Sequence, residues 1–283
     1  MGKSIVATLL LASVPFWRSS ASVLPPASTA QGPSQWFAVA PPVLWGYHTE
    51  YALTDVEMTS PDTAWAVGSS TVILRYDSGA WTVAEVSPAS HRGVTLNSIS
   101  MLSDSDGWAV GWNGLIRHLS GSSWITVTSP VTEVLRAVDM VSTTDGWAVG
   151  EYGTMVHYDG NAWTAYNSPT TSHLTAIDMV SANEGWAVGD TILHYSGGSW
   201  SEVAPPPSRL DALDMVSANE GWATGDRMLM YYDGNGWTQV ASPTSKGIYG
   251  LDMVSSTDGW AGGQHAERGV LLHCDGTSWT TVP

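Results

Sequence analysis

The sequence predicts an all-β fold, a β-propeller of four-stranded antiparallel blades, and three observations carry that prediction. A Trp-centred motif recurs at a nearly constant interval, and each interval breaks into four short runs separated by turn residues. The composition joins 29 Gly and 15 Pro to 16 Trp and 10 Tyr, with only 2 Phe. Many turns with large flat side chains between them suit strands.

The repeat is plainest in DMVSANEGWA, which occurs at Asp178 to Ala187 and again, letter for letter, at Asp214 to Ala223. Equivalents of its Trp stand at Trp65, Trp108, Trp147, Trp186, Trp222 and Trp260, 36 to 43 residues apart. A second Trp follows each, at Trp81, Trp124, Trp163, Trp200, Trp237 and Trp279. Within the unit His173 to Ser208 the runs are LTAIDMVS, WAVG, TILHYS and WSEVA, separated by the turns ANEG and GGS. Glycine stands where a hairpin needs a positive φ, so the unit reads as four antiparallel strands. Four strands in about 40 residues, repeated more than three times, make propeller blades.

Each strand follows from the need to cover two apolar blade faces. Ile177 and Met179 share one face of the first strand, and Trp186 and Val188 share one face of the second. A lone blade leaves both faces wet; adjacent blades cover them, and closing the ring protects the ends.

The domain organisation follows from the repeat. Six complete units are expected at about 51–93, 94–133, 134–172, 173–208, 209–246 and 247–283, within a propeller spanning 51–283. A remainder, Ser34-Gln35-Trp36-Phe37-Ala38-Val39-Ala40-Pro41-Pro42, matches the fourth strand Gly198 to Pro206 at Trp, Val, Ala and both prolines. Segment 31–50 is therefore expected to contribute a ring-closing outer strand. Six complete units predict six blades, and a degenerate seventh blade, or pairing of this strand with another chain, is the alternative.

Residues 1–30 read as a signal peptide: Lys3, an apolar run from Ile5 to Trp17, then small residues, with cleavage after Ala21 or Ala30. No later stretch approaches the roughly 20 apolar residues of a membrane span. A secreted or cell-surface bacterial-type protein is expected. Without residues 1–30 the chain loses Lys3 and Arg18 and no acid, leaving 8 basic against 26 acidic side chains, a net charge of −18. Such a field repels nucleic acid and anionic lipid and favours cations, basic proteins or neutral glycans. Cys274 is the only cysteine, so no internal disulfide forms; between an aliphatic run and Asp275-Gly276 it reads as a buried strand thiol.

The units carrying DMVS, DGWAVG and YDGxxW resemble bacterial neuraminidase-type (BNR-like) propeller repeats, over residues 51–283. They are most similar to the branch that includes photosystem II assembly and stability factors and many secreted bacterial proteins. The resemblance implies a propeller with the first strand of each unit innermost, and it allows many functions. The turns Tyr158-Asp159-Gly160-Asn161-Ala162-Trp163 and Tyr232-Asp233-Gly234-Asn235-Gly236-Trp237 look like the Asp box of sialidases, one residue shorter and without its leading Ser; that box is structural there. A sialidase would need three arginines converging on a carboxylate and a Tyr/Glu nucleophile pair. Arg75, Arg92, Arg117, Arg136, Arg209, Arg227 and Arg268 show no such motif. A glycosidase using two carboxylates from different blades stays open as an alternative.

Three recurring positions and three departures from the pattern remain as candidate sites. Glu57, Asp139, Asp178, Asp214 and Asp252, with Ser100 in the second unit, stand between the apolar residues of the first strand. If that strand is innermost they form a ring near the channel. Such a ring either binds a cation such as calcium or a basic partner, or accepts hydrogen bonds that tie blade to blade; the second reading is preferred. Asp106, Asp145, Glu184, Glu220 and Asp258 precede Gly-Trp, and ordinary hairpin chemistry accounts for them. His118, His157, His194 and His273 recur six residues before the second Trp. Equivalents on facing sheets lie about 10 Å apart, whereas zinc draws its ligands to about 2 Å, so a repeated hydrogen bond, no metal and no cofactor are expected.

Departures from the repeat are where a ligand would be recognised: Trp112 before Asn113-Gly114, the loop Gly263 to Gly269 with His265, Glu267 and Arg268, and Trp45 in Leu44-Trp45-Gly46. Exposed aromatics beside polar groups suit peptide segments or sugar rings. The sequence thus predicts a non-enzymatic module that binds or scaffolds proteins, with a carbohydrate-binding propeller as alternative, a glycoside-cleaving enzyme as second alternative, and homo-oligomers permitted.

Overall fold

A computed structural model describes residues 52–85, 93–203, 205–265, 268–276 and 278–282. They form six four-stranded antiparallel blades arranged in a ring, a six-bladed β-propeller. The first blade is β1 (Leu53–Ser60), β2 (Thr63–Gly68), β3 (Ile73–Asp77) and β4 (Ala80–Glu85); the second is β5 (Leu96–Ser103), β6 (Asp106–Gly111), β7 (Ile116–Ser120) and β8 (Ser123–Val127). The third is β9 (Leu135–Ser142), β10 (Asp145–Gly150), β11 (Met155–Tyr158) and β12 (Trp163–Ala165); the fourth is β13 (Leu174–Ser181), β14 (Glu184–Gly189), β15 (Ile192–Ser196) and β16 (Ser199–Glu202). The fifth is β17 (Leu210–Ser217), β18 (Glu220–Gly225), β19 (Met228–Tyr232) and β20 (Trp237–Val240); the sixth is β21 (Gly247–Ser255), β22 (Asp258–His265), β23 (Arg268–Cys274) and β24 (Trp279–Thr281). In every sheet the strands lie in chain order, with the first strand at the channel.

Register makes one row of side chains per blade. Opposite each first Trp stands the inner-strand residue singled out above: Glu57 faces Trp65, Ser100 faces Trp108, Asp139 faces Trp147, Asp178 faces Trp186, Asp214 faces Trp222 and Asp252 faces Trp260. On its other side each Trp faces the third-strand residue: Arg75, His118, His157, His194, Tyr231 or His273. Directly opposed residues share a sheet face, so acid, Trp and His point together towards the next blade.

The opposite face of each blade receives that row. Ile177 and Met179 pack with Trp147 and Val149 of the preceding blade, while Trp186 and Val188 pack with Leu213, Met215 and Met230 of the following one. The two Trp sets meet edge to face across successive junctions: Trp65 with Trp124 at 5.7 Å, Trp108 with Trp163 at 5.4 Å, Trp147 with Trp200 at 5.6 Å, Trp186 with Trp237 at 5.5 Å and Trp222 with Trp279 at 5.4 Å, at interplanar angles of 74–83°. Each such pair contributes about 0.5–1.5 kcal/mol beyond its buried area.

The recurring Gly before the first Trp has a steric cause. A methyl group at Gly107, Gly146, Gly185, Gly221 or Gly259 would overlap the thioether of Met101, Met140, Met179, Met215 or Met253 on the inner strand. Met and Gly thus form one interlocking pair in each of the second to sixth blades, while in the first Ala64 faces Met58. The Asp-box-like turns order themselves: Asp159 Oδ1 accepts the amides of Asn161 and Ala162, both at 2.9 Å, and Asp233 Oδ1 accepts those of Asn235 and Gly236 at 2.9 and 3.1 Å. These bonds hold both carboxyls below the ordinary range. Cys274 is buried on β23.

Candidate functional site

The strands run so that the propeller has two unlike faces. The first-to-second and third-to-fourth strand turns lie on one, the far face. The second-to-third turns and the connections between blades lie on the other, the mouth face.

Acids crowd the far face. Asp62, Asp77, Asp104, Asp106, Asp145, Asp159, Glu184, Glu220, Asp233, Asp258 and Asp275 stand in or beside its turns, where no described turn residue is Lys or Arg. Several are engaged with the repeat's imidazoles: His118 Nε2 donates to Asp106 at 2.9 Å, His157 to Asp145 at 2.7 Å and His273 to Asp258 at 2.8 Å, and His194 pairs with Glu184. The rings lie against Trp, at 4.0 Å and 9° for His118 on Trp108 and 4.0 Å and 12° for His194 on Trp186. The acids before Gly-Trp therefore do more than shape a hairpin: they anchor the imidazole that covers the indole. Among the described residues no group of three His, Cys, Asp or Glu side chains could hold a metal ion.

The channel contains the acid ring. A cavity of about 340 Å³ is lined by Glu57, Ser100, Asp139, Asp178, Asp214 and Asp252 together with Asp55 and Ser98. Their bonds cross the junctions. Glu57 accepts the amide of Met101 at 2.6 Å, Asp139 that of Met179 at 2.6 Å, Asp178 that of Met215 at 2.5 Å and Asp214 that of Met253 at 2.5 Å; Ser100 Oγ accepts that of Met140 at 3.1 Å. Each of these bonds joins one blade to the next. Burial raises Glu57 well above the carboxylate range, with Asp55 and Asp139 adding repulsion. Asp55 is raised to about 6 by burial, against the lowering effect of bonds from the amides of Ile99 and Val56.

Towards the mouth the channel widens into a cavity of about 400 Å³ lined by all six inner strands. Its polar rim comes from the residue three before the ring position on each inner strand: Thr54, Asn97, Arg136, Thr175, Asp211 and, in the sixth blade, Tyr249. Three of these cross to the next blade's carbonyl, Thr54 to Leu96 at 2.5 Å, Asn97 to Leu135 at 2.7 Å and Thr175 to Leu210 at 2.6 Å. One level deeper the ring is asymmetric. Asp55 takes the Ile99 amide and Ser98 the Val138 amide, whereas Ala137, Ala176 and Ala212 offer no side-chain acceptor to β13, β17 and β21. Main chain on that side of the channel is uncapped at this level by the preceding blade.

The exposed aromatics gather at this mouth. Trp112 is 47% exposed, Tyr152 67% and Tyr249 51%. Trp112 and Tyr152 occupy equivalent 3-10 turns between second and third strands, and Tyr249 is the third residue of β21. Tyr152 holds φ at 56°, a left-handed conformation that costs a bulky residue; its amide donates to His173 Nδ1 at 3.2 Å and the two rings lie 4.9 Å apart. Four of the described cations gather here too. Arg136 pairs with Glu151, Arg209 with Asp211 at 3.1 Å and Arg227 with Asp226 at 3.7 Å, and Lys246 Nζ donates to the Gly269 carbonyl at 2.8 Å. Burial raises Asp211, Arg209 opposing it.

The sequence candidates are placed as follows. Trp112 stands on the mouth face, and the paired strand ends of β22 and β23 at His265 and Arg268 lie on the same face, although only their backbone is described. Trp45 and Glu267 lie outside the described residues. Tyr152, Tyr249 and Arg136 are not singled out by the repeat. The one available sign was an aromatic or charged residue where sister units carry Thr, Asn or Ser.

The fold and its mouth define a β-propeller with an aromatic, cation-bearing rim around a polar channel. No family model matches the chain, and no curated protein matches it. Solved structures share its fold. A complex of YCF48 bound to D1 peptide has a TM-score of 0.66 and 18% identity, covering 86% of this chain and 87% of that one. YCF48 from Cyanidioschyzon merolae gives 0.66 and 18%, covering 84% and 87%, and the RRP9 WD40 repeats give 0.66 and 10%, covering 84% and 81%. At these identities the likeness is one of β-propeller architecture.

Proposed function

We propose that the chain is a secreted, non-catalytic propeller that binds a protein partner by receiving an extended peptide segment across its mouth face. The observation that carries this reading is the gathering of Trp112, Tyr152 and Tyr249 on one face, around a channel whose inner strands leave main chain uncapped on one side. Aromatic platforms supply contact area at small entropy cost, and accessible strand edges supply main-chain hydrogen bonds; together they are the two halves of extended-peptide recognition. A propeller of the same architecture has been solved with a peptide bound, which supports the reading as analogy of fold. The N-terminal signal pattern supports secretion.

The test is a peptide array probed with the purified chain and with Trp112→Ala, Tyr152→Ala and Tyr249→Ala. Sequence-selective binding weakened about tenfold or more by at least two of the three substitutions supports the reading, as expected for truncated aromatic anchors. Binding insensitive to all three overturns it. Selective binding to a glycan array, lost in Trp112→Ala, would move the assignment to a lectin.

A further inference from the structure

Each inner strand turns a second main-chain amide to the channel, two residues before the Met amide of the acid ring. Ile99 shows the geometry: its amide crosses to Asp55 Oδ2 of the preceding blade at 2.9 Å. The amide of Val138 crosses to Ser98 Oγ at 3.3 Å, and that of Val56 is taken by Asp55 Oδ1 at 2.8 Å. Ile177, Leu213 and Leu251 hold the same position on β13, β17 and β21. Their amides point the same way, because amides alternate along an edge strand and the Met amides two residues on are bonded to Asp139, Asp178 and Asp214. In that register they face Ala137, Ala176 and Ala212, which carry no side-chain acceptor.

The channel therefore has two halves at this level. Over the first three blades Asp55 and Ser98 hold the amides; over the fourth, fifth and sixth, three successive amides meet no side-chain acceptor among the described residues. The three residues and the three alanines line the mouth cavity of about 400 Å³, so a group entering from the mouth reaches this arc. A buried N–H without an acceptor is costly, and the arc favours an occupant that brings oxygen to it.

The surroundings select the kind of oxygen. Asp178, Asp214 and Asp252 stand one residue deeper on the same three strands and repel a carboxylate or phosphate. Lys and Arg heads carry donors alone and cannot accept from an N–H. Depth narrows the choice again: the rim residues Thr175 and Asp211 lie two residues above Ile177 and Leu213, about 7 Å at 3.3 Å per residue. A Ser or Thr hydroxyl of a segment resting on the rim stays short of that. A carboxamide is the neutral group that joins an acceptor to donors at the end of a stem. We infer that the arc is the seat of a Gln or Asn side chain of the bound segment. Its carbonyl oxygen accepts from one of the amides of Ile177, Leu213 and Leu251, and its NH2 turns towards the acids. This deepens the reading of the mouth as a peptide-binding face, and rests on it for the source of the side chain.

Titration of the full chain with propionamide, followed by NMR at the backbone amides, tests the seat apart from the peptide. Ile177, Leu213 and Leu251 are expected to shift saturably, while propionate and propylammonium leave them in place. Ala137→Ser is expected to remove at least half of the shift at Ile177 alone, Ala176→Ser at Leu213 alone and Ala212→Ser at Leu251 alone. Each copies the cap that Ser98 gives Val138, and the two amides still shifting show that the variant is folded. No shift at the three amides, an equal response to propylammonium, or shifts unchanged by all three substitutions overturns the inference. On the peptide array, replacing Gln or Asn at one position by Glu, Lys or Ala is expected to weaken binding about tenfold or more, as for an anchoring side chain. Binding that depends on Trp112 but shows no such position overturns the inference and leaves the peptide reading standing. Propionamide shifts in a chain that binds no peptide support the seat and overturn the peptide reading.

Discussion

The carboxylate of Asp178 accepts the main-chain amide of Met215 at 2.5 Å, joining the fourth blade to the fifth through the channel wall. One residue further along β13, Met179 donates its own amide to Asp139 of the third blade. Adjacent residues thus hold the two neighbours of one blade, and the chain of bonds runs around the channel as a single relay.

Asp178→Ala leaves the Met215 amide buried without this acceptor and is expected to lower unfolding free energy by about 1–3 kcal/mol. Asp178→Asn keeps a carbonyl oxygen in place and should cost less. Urea denaturation of both variants checks the order; equal stability of wild type and Asp178→Ala would remove the relay from the account of what holds the ring.

Trp147 is 2% exposed and packs against Trp200, Tyr195 and Tyr166 of two blades. Trp147→Ala is expected to cost about 3–5 kcal/mol through lost transfer and cavity terms. A double-mutant cycle with Trp200→Ala should show a coupling of about 0.5–3 kcal/mol, since the two rings touch. Strict additivity would contradict the edge-on contact.

Asp55 is raised to about 6 and Glu57 is raised as well, both chiefly by burial. Between the ordinary carboxylate range and pH 6 the unfolded chain has released these protons and the folded chain still holds them. The folded state then binds more protons, so the stability these groups contribute is present on the acid side and lost as pH rises through about 6. Asp159 and Asp233, lowered by their turn bonds, act in the opposite sense at lower pH. Thermal unfolding at a series of pH values should show Asp55→Asn gaining on wild type from pH 4 to 6 and holding a constant advantage above; a parallel pair of curves would refute the assignment.

Glu57, Asp139, Asp178 and Asp214 each hold an amide. Calcium at millimolar concentration, a range in which weak extracellular sites fill, is expected to leave the melting temperature unchanged. A saturable rise would show an ion bound in the folded state.

Tyr152 pays a backbone cost for its place on the mouth. Tyr152→Gly should therefore retain or slightly raise thermal stability, since glycine adopts this φ freely, while weakening peptide binding. Loss of stability comparable to that of Trp147→Ala would show that Tyr152 serves packing.

The blades were legible because their cause is local and repeated: a Trp every 36 to 43 residues, a Gly beneath the inner-strand Met of five blades and a glycine turn between strands all leave marks in the sequence. The ring of Glu57, Asp139, Asp178, Asp214 and Asp252 was legible as a position, since alternation places it on one face of the inner strand. The partner of each acid was not, because a bond to the next blade's amide spans 37 to 44 residues and leaves no motif. His118, His157 and His194 illustrate the same limit: their hydrogen bonds could be expected, but Asp106, Asp145 and Glu184 as acceptors emerge only from strand register. Tyr249 and Arg136 belong to the rim through the curvature of the ring, which no single unit encodes.

Asp178 to Ala187 and Asp214 to Ala223 are identical, and each is wired to the following blade by the same Asp-to-Met bond and the same edge-on Trp pair. The contacts therefore carry no address. During folding the fourth and fifth blades are interchangeable in everything their junction motifs recognise, and the order of the ring is kept by the covalent thread alone. Circular permutants cut between units should rebuild the same wheel, whereas two chains folding at high concentration can trade whole blades without either one meeting a wrong surface.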